Sequence, residues 1–195
     1  MKPKNRLLLA HGFNVRDGGA NTLDKLIPHL KRPNTKIKQA DYGHLSLAGV
    51  AYFNDNLAAM LNGLSEQNDI GIGHSNGCSV LAMAANLGAP FKQLHLINPA
   101  LKSDFKFPSH IKKIFVYHSK GDLPVKLSTW LRYIPPFKNN KDFIWGQMGA
   151  TGYTGNDPRV INIDLSSMYL SHSGGFDNQN APELAAIIRD KIKRG

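Results

Sequence analysis

Short apolar runs alternate along this chain with longer stretches whose apolar residues recur at helical spacing. Arg6 to Ala10, Thr35 to Ala40, Asp69 to Ile72, Gln93 to Ile97, Ile114 to Tyr117 and Val160 to Leu165 read as strands. Asn21 to Leu30, Leu47 to Leu61, Cys78 to Leu87 and Pro182 to Ile192 read as helices. The Asp17-Gly18-Gly19 turn opens the first helix, Pro33 lies beyond its end, and Gly88 closes the third. Pro182 takes a first-turn position, where its missing N–H is not needed. Strands alternating with helices predict an α/β fold with a mostly parallel central sheet of about six strands flanked by helices. Thr35 to Ala40 (Thr-Lys-Ile-Lys-Gln-Ala) is more polar than the others, which places it near a sheet edge.

At 195 residues the chain fits a single domain spanning positions 1–195, with no internal repeat and no low-complexity linker. One long irregular region runs from Leu123 to Arg159 and holds Trp130, Trp145, Pro135-Pro136 and the glycine-rich stretch Gly146 to Gly155. Two compatible readings apply to it. A helix around Lys126 to Tyr133 covers the sheet and a packed loop follows, or the segment is a flap that walls a substrate pocket with aromatics.

A hydrophobic content of 42% and a charged content of 19% describe an ordinary globule and exclude a disordered chain. No window is apolar for long enough to span a membrane, and Leu7-Leu8-Leu9-Ala10 is too short for a signal-peptide core. A cytoplasmic product is the default expectation. The lone Cys78 excludes an intramolecular disulfide and a cysteine-based metal site, and it reads as a small buried apolar residue. The net charge of +10 is dispersed, at Lys31-Arg32, Lys36, Lys38, Lys112-Lys113, Lys138, Lys141 and from Arg189 to Arg194. It forms no nucleic-acid module, so no specific nucleic-acid binding is expected, while weak attraction to anionic polymers, membranes or acidic substrates stays open. Oligomeric state is not encoded in any pattern here.

The candidate chemistry centres on Gly73-His74-Ser75-Asn76-Gly77, of the form G-x-S-x-G, directly after the apolar run Ile70-Gly71-Ile72 and before the Cys78–Leu87 helix. A strand, a sharp turn and a helix in that order hold a serine in a strained backbone conformation, and flanking glycines remove the collisions that side chains would cause. Ser75 is the candidate nucleophile. A serine hydroxyl needs a base, a carboxylate to orient that base, and donors for an oxyanion. Of the eight histidines, His172 lies in a loop after the final strand, at the carboxyl end of the sheet where catalytic groups gather. His11, His74 and His118 lie near the same rim, with His74 expected to point away from Ser75, and His95 reads as structural. For the acid, Asp122 follows a strand in His118-Ser119-Lys120-Gly121-Asp122; Asp157 and Asp164 are the other candidates, and an Asx turn is the non-catalytic alternative. The oxyanion donors are the backbone N–H of Asn76 and that of Phe13, in the loop after the first strand, with Asn14 as the alternative to Phe13.

Leu7-Leu8-Leu9-Ala10-His11-Gly12-Phe13, Gly73-His74-Ser75-Asn76-Gly77, Gly121-Asp122 and His172, in that order, resemble the α/β-hydrolase superfamily over almost the whole chain. The resemblance implies a Ser75-Asp122-His172 triad, hydrolysis through an acyl-enzyme, and no metal or organic cofactor. The expected partner is a small-molecule ester or acyl substrate. The superfamily's opening antiparallel strands are not expected here, and Pro99 to His110 is too short for a cap domain, so the pocket is expected to be shallow or open unless Leu123–Arg159 covers it. A carboxylic-ester hydrolase is the leading reading. A thioesterase or lipid acyl hydrolase is the second, and a non-catalytic binding protein on the same fold is the third.

Overall fold

The computed structural model describes residues 5–13, 21–40, 42–43, 46–135, 137–138 and 143–194. Asn14, the Asp17-Gly18-Gly19 turn and Lys141 lie outside the described residues. Among the described residues six parallel strands form one sheet: β1 (Asn5–Ala10), β2 (Thr35–Ala40), β3 (Asp69–His74), β4 (Phe91–Ile97), β5 (Lys113–His118) and β6 (Val160–Asp164). Their order is β2-β1-β3-β4-β5-β6, so the polar β2 is indeed an edge strand. The chain leaves β1 to one side for β2 and returns on the other side for β3. That reversal opens a crevice at the carboxyl ends of β1 and β3.

Among the described residues six α-helices flank the sheet: α1 (Ile27–Leu30), α2 (Leu47–Leu64), α3 (Asn76–Asn86), α4 (Leu123–Ser128), α5 (Met148–Thr151) and α6 (Ala181–Lys193). Both faces of the sheet are covered, which is why the inner strands read as unbroken apolar runs. Leu8, Ala10, Leu94, Leu96, Ile114 and Val116 face one core with residues of α2 and α3. Leu7, Leu9, Ile70, Ile72, Phe115 and Tyr117 face the other, with Leu30 and the apolar face of α6. The alternation of Leu7 and Leu9 against Leu8 and Ala10 is the period-two pleat of a strand.

Departures from the sequence expectation have local causes. The helix expected over Asn21 to Leu30 is a 3-10 segment, Leu23–Leu26, followed by the single turn of α1. Pro28 has no N–H to give to the carbonyl of Asp24, so one continuous α-helix cannot form there. The helix expected around Lys126 to Tyr133 begins earlier, at Leu123, and changes at Thr129 into a 3-10 segment, Thr129–Tyr133. Its start is set by Asp122, whose side chain accepts from the backbone N–H of Val125 at 3.2 Å as an N-cap. Likewise α2 is opened by Ser46, whose Oγ accepts from Gly49 N at 3.1 Å. Among the described residues no helix is long and apolar enough to cross a membrane.

Candidate active site

The register of β1 against β3 brings two predicted loops together. Ala10 pairs with Gly73, so Gly12 and Ser75, each two residues further on, leave the sheet side by side. A Cβ built on Gly12 would lie 3.1 Å from that of Ser75. Ser75 itself has φ 55° and ψ −122°, backbone angles that few non-glycine residues adopt. Ser75 N donates to Ile97 O at 3.0 Å, while Ser75 O accepts from Cys78 N at 3.1 Å and Ala100 N at 3.2 Å. These bonds tie the turn to α3 and to the end of β4. Gly77 sits against β1 so closely that a Cβ there would fall on the carbonyl oxygens of Ala10 and His11. One at Gly73 would lie 2.9 Å from Cys78 N. Only glycine fits either position.

Asp122 is fully buried after β5, and both of its carboxylate oxygens lie 2.9 Å from His172 Nδ1. The two readings of Asp122 from sequence coincide, since the residue that caps α4 also holds the histidine. No hydrogen bond joins Ser75 Oγ to His172 among the described residues, but both residues line one cavity of about 310 Å³. Catalytic contacts often tighten only around a bound substrate. Gly12, Phe13, Pro124, Val125, Ser128 and Trp145 complete much of that lining. Pro124, Val125, Ser128 and Trp145 thus bring parts of the Leu123–Arg159 stretch into the lining of the cavity. Phe13 packs its ring against Trp145 with centroids 5.2 Å apart. Asn76 opens α3, where the first backbone N–H groups of a helix have no acceptor within it. Asp157 and Asp164 are engaged elsewhere. Asp157 pairs with Arg159 at 2.6 Å, and Asp164 accepts from Ser166 N at 2.9 Å and pairs with Lys120 at 3.5 Å. These hydrogen bonds hold both carboxyls below their ordinary range.

The other rim histidines are also sorted by their contacts. His74 lies under His172: its Nε2 is 3.2 Å from His172 O and the two ring centroids are 4.8 Å apart. Burial, with His172 beside it, lowers its pKa well below the ordinary value, so His74 is a neutral prop for the loop that carries His172. His11 stacks on Tyr42 at 4.0 Å. His118 is lowered by desolvation. His95 is buried within the sheet with Nδ1 2.8 Å from Tyr117 Oη, and burial lowers its pKa to about 3.

Sequence reasoning missed three supporting residues, Asn98, Tyr169 and Asn54, and the hydrogen bond by which Trp145 joins Asn76. Asn98 Nδ2 donates to Asp122 Oδ2 at 2.9 Å, and Tyr169 Oη donates to Asn98 Oδ1 at 2.8 Å. Asn98 follows β4 at the same strand-end rim, a position that could have flagged it; Tyr169 carries no such signal. Asn54 and Asn76 exchange two side-chain amide hydrogen bonds, at 2.9 and 3.0 Å. Trp145 Nε1 donates to Asn76 Oδ1 at 2.8 Å. Asn54 shares the buried stripe of α2 with Val50, Ala58 and Leu61, so a polar residue at an apolar position was the available clue.

No protein-family model matches the chain, and no curated protein matches it. Solved structures do. The chain is similar to the esterase domain of a Rhodothermus marinus protein, with 13% identity, a TM-score of 0.60, and 100% of this chain and 88% of that one covered. It is similar to MGS-MChE2, an α/β hydrolase enzyme from the metagenome of sediments of the Mar Chica lagoon, Morocco (13% identity, TM-score 0.59, 99% and 93% covered). It is also similar to Aspergillus fumigatus lipase B, of which it spans about half (15% identity, TM-score 0.59, 94% of this chain and 51% of that one). At such identities the likeness is one of backbone architecture, and with the strand order, the elbow after β3 and the near-complete coverage it gives the chain the α/β-hydrolase fold.

Proposed function

We propose that this protein is a serine hydrolase that cleaves carboxylic esters through an acyl-enzyme intermediate. The reading is carried by one observation: a buried Asp122 holds His172 Nδ1 with both oxygens at 2.9 Å, while Ser75, held at φ 55°, faces the same cavity. Asp122 fixes the tautomer that leaves His172 Nε2 free to accept a proton. Ser75 Oγ attacks the ester carbonyl carbon as its proton passes to Nε2, and the carbonyl oxygen becomes an oxyanion. The backbone N–H groups of Asn76 and Phe13 receive that oxyanion, each donor contributing about 3 kcal/mol to the barrier reduction. Collapse of the tetrahedral adduct breaks the ester C–O bond, and His172 returns the proton to the departing alcohol. Water, deprotonated by His172, then attacks the acyl-Ser75 carbonyl. Collapse of this second adduct breaks the Ser75 Oγ–acyl bond and frees the acid, and the proton returns from His172 to Ser75 Oγ. The Asn54–Asn76–Trp145 hydrogen bonds keep the elbow and the aromatic wall in register through this cycle.

Two structures similar to this chain carry the names esterase domain and lipase, which supports the choice of an ester bond. The test is labelling with a fluorophosphonate followed by peptide mass spectrometry. The expected adduct is on Ser75, absent in Ser75→Ala and in His172→Ala. Ser75→Ala should lower kcat on a soluble ester by a factor on the order of a million. A folded protein that takes up no label, or a Ser75→Ala variant that keeps most of its turnover, overturns the proposal.

A further inference from the structure

The α4 segment has two faces that do different things. Val125 and Ser128 turn inward and line the cavity, and Leu131 packs on the cluster that includes Val125 and Trp145. Leu123 and Leu127, one helical turn apart, turn outward, and so do Trp130 and Tyr133 in the following 3-10 segment, where residues three apart share a face. With Ile134 these five side chains are 53–67% exposed, and Leu170 at 61% lies beside Gly121 on the same rim. Large apolar side chains grouped this way on a surface mark a contact site, whereas single ones do not.

The charge around the patch decides what it contacts. From Leu123 to Lys138 the sequence carries Lys126, Arg132 and Lys138 and no acidic residue, in a chain whose net charge is +10. A second copy seated on this face would set cations against cations. Leucine and isoleucine beside tryptophan, tyrosine and lysine are the set that enters a headgroup layer: the apolar groups sit at the acyl boundary, the amphipathic rings at headgroup level, and the cations on lipid phosphates. We infer that the outward face of Leu123–Ile134 docks this protein on an anionic lipid surface. The docking stands apart from the chemistry. Its consequence, that the ester delivered to Ser75 is membrane-borne, rests on the proposed hydrolase. Because Asp122 caps α4 and the inner face of α4 lines the cavity, a docked face holds the α4 wall of the site against the lipid boundary.

The experiment measures co-sedimentation with vesicles of equimolar phosphatidylcholine and phosphatidylglycerol, and with vesicles of phosphatidylcholine alone. Ser75→Ala protein serves for binding, so that the outcome does not depend on turnover. Binding is expected to the mixed vesicles, to fall as salt is raised, and to weaken about tenfold or more in the Leu127→Ser/Trp130→Ala double variant. That variant should hydrolyse a short soluble ester at the parent rate, since neither side chain lines the cavity. Brominated lipid should quench tryptophan emission of the parent and spare that of the double variant. Equal binding to both vesicle types, no binding to either, or a dimer that falls apart in the double variant overturns the inference. Failure of the soluble-ester assay with intact vesicle binding instead removes the proposed hydrolase and leaves the docking in place.

Discussion

Tyr169→Phe removes one oxygen atom and tests whether Asn98 and Tyr169 position Asp122. Tyr169 Oη donates to Asn98 Oδ1 at 2.8 Å, and Asn98 in turn donates to the carboxylate that holds His172. Without the hydroxyl, Asn98 Oδ1 is a buried acceptor with no partner, a loss of about 1–3 kcal/mol in stability. For a chain of this length that lowers Tm by about 2–4 °C per kcal/mol, so a fall of several degrees is expected. The amide is then less firmly held against Asp122 Oδ2. Weakening that contact by about 1 kcal/mol in the transition state lowers kcat about fivefold. KM should not move, because neither Asn98 nor Tyr169 lines the cavity. Asn98→Gly removes the donor altogether while suiting the φ of 45° at that position. A hydrogen bond to a charged group contributes about 1.5–3 kcal/mol, so this variant should lose about ten- to a hundredfold in kcat. Adding Tyr169→Phe to Asn98→Gly should then cost little more, because both changes break one chain of contacts. The assay is kcat and KM on a soluble ester, with thermal unfolding of each variant. A Tyr169→Phe protein that loses stability at unchanged kcat, or a double variant with fully additive losses in kcat, refutes the positioning role.

Two further outcomes follow from packing and from burial. Gly77→Ala drives a methyl group into the carbonyl oxygens of Ala10 and His11, so the elbow must shift; thermal unfolding should show a loss of about 3 kcal/mol or more, and fluorophosphonate labelling should stop, whereas a stable, fully labelled variant contradicts the contact. His95 is fully buried with its pKa lowered from 6.5 to about 3, so between those values the unfolded chain binds a proton that the folded chain does not. Stability is therefore complete above the unfolded pKa and declines as pH falls below it, by about 1.4 kcal/mol per pH unit from this residue, with His74 acting in the same direction. Urea unfolding across that range checks it: His95→Gln should flatten the slope, and an unchanged slope removes His95 as its source.

Periodicity was enough for the architecture, and motif order nominated Ser75, Asp122 and His172, which the structure brings to one end of the sheet. An inner strand of a parallel sheet must be apolar on both faces, and a strand that turns into a helix through G-x-S-x-G leaves little choice of geometry, so Leu7–Ala10, Asp69–Ile72 and Ser75 declare themselves locally. Asp122 and His172 stood out as candidates because strand ends converge on one rim whatever the loops contain, and the structure sets the two side chains 2.9 Å apart. Element ends were less visible: Pro28 splits the first helix, and the cap at Asp122 moves the start of α4, through single hydrogen bonds that a periodic pattern averages away. What the chain written out in a line could not state is which distant polar groups meet. Asn98 with Tyr169 are 71 positions apart, and Asn76 with Trp145 are 69 apart. These pairs exist because folding buries their polar atoms together, where each must find a partner or lose its hydration without return. The same holds for the two faces of Leu123–Tyr133. Its composition announced apolar and aromatic residues, but only the packing of Val125 and Ser128 into the cavity lining, and of Leu131 on the cluster with Val125 and Trp145, left Leu127 and Trp130 facing solvent. Local spacing can say that a segment has faces; which face turns inward is decided by the surface it packs on.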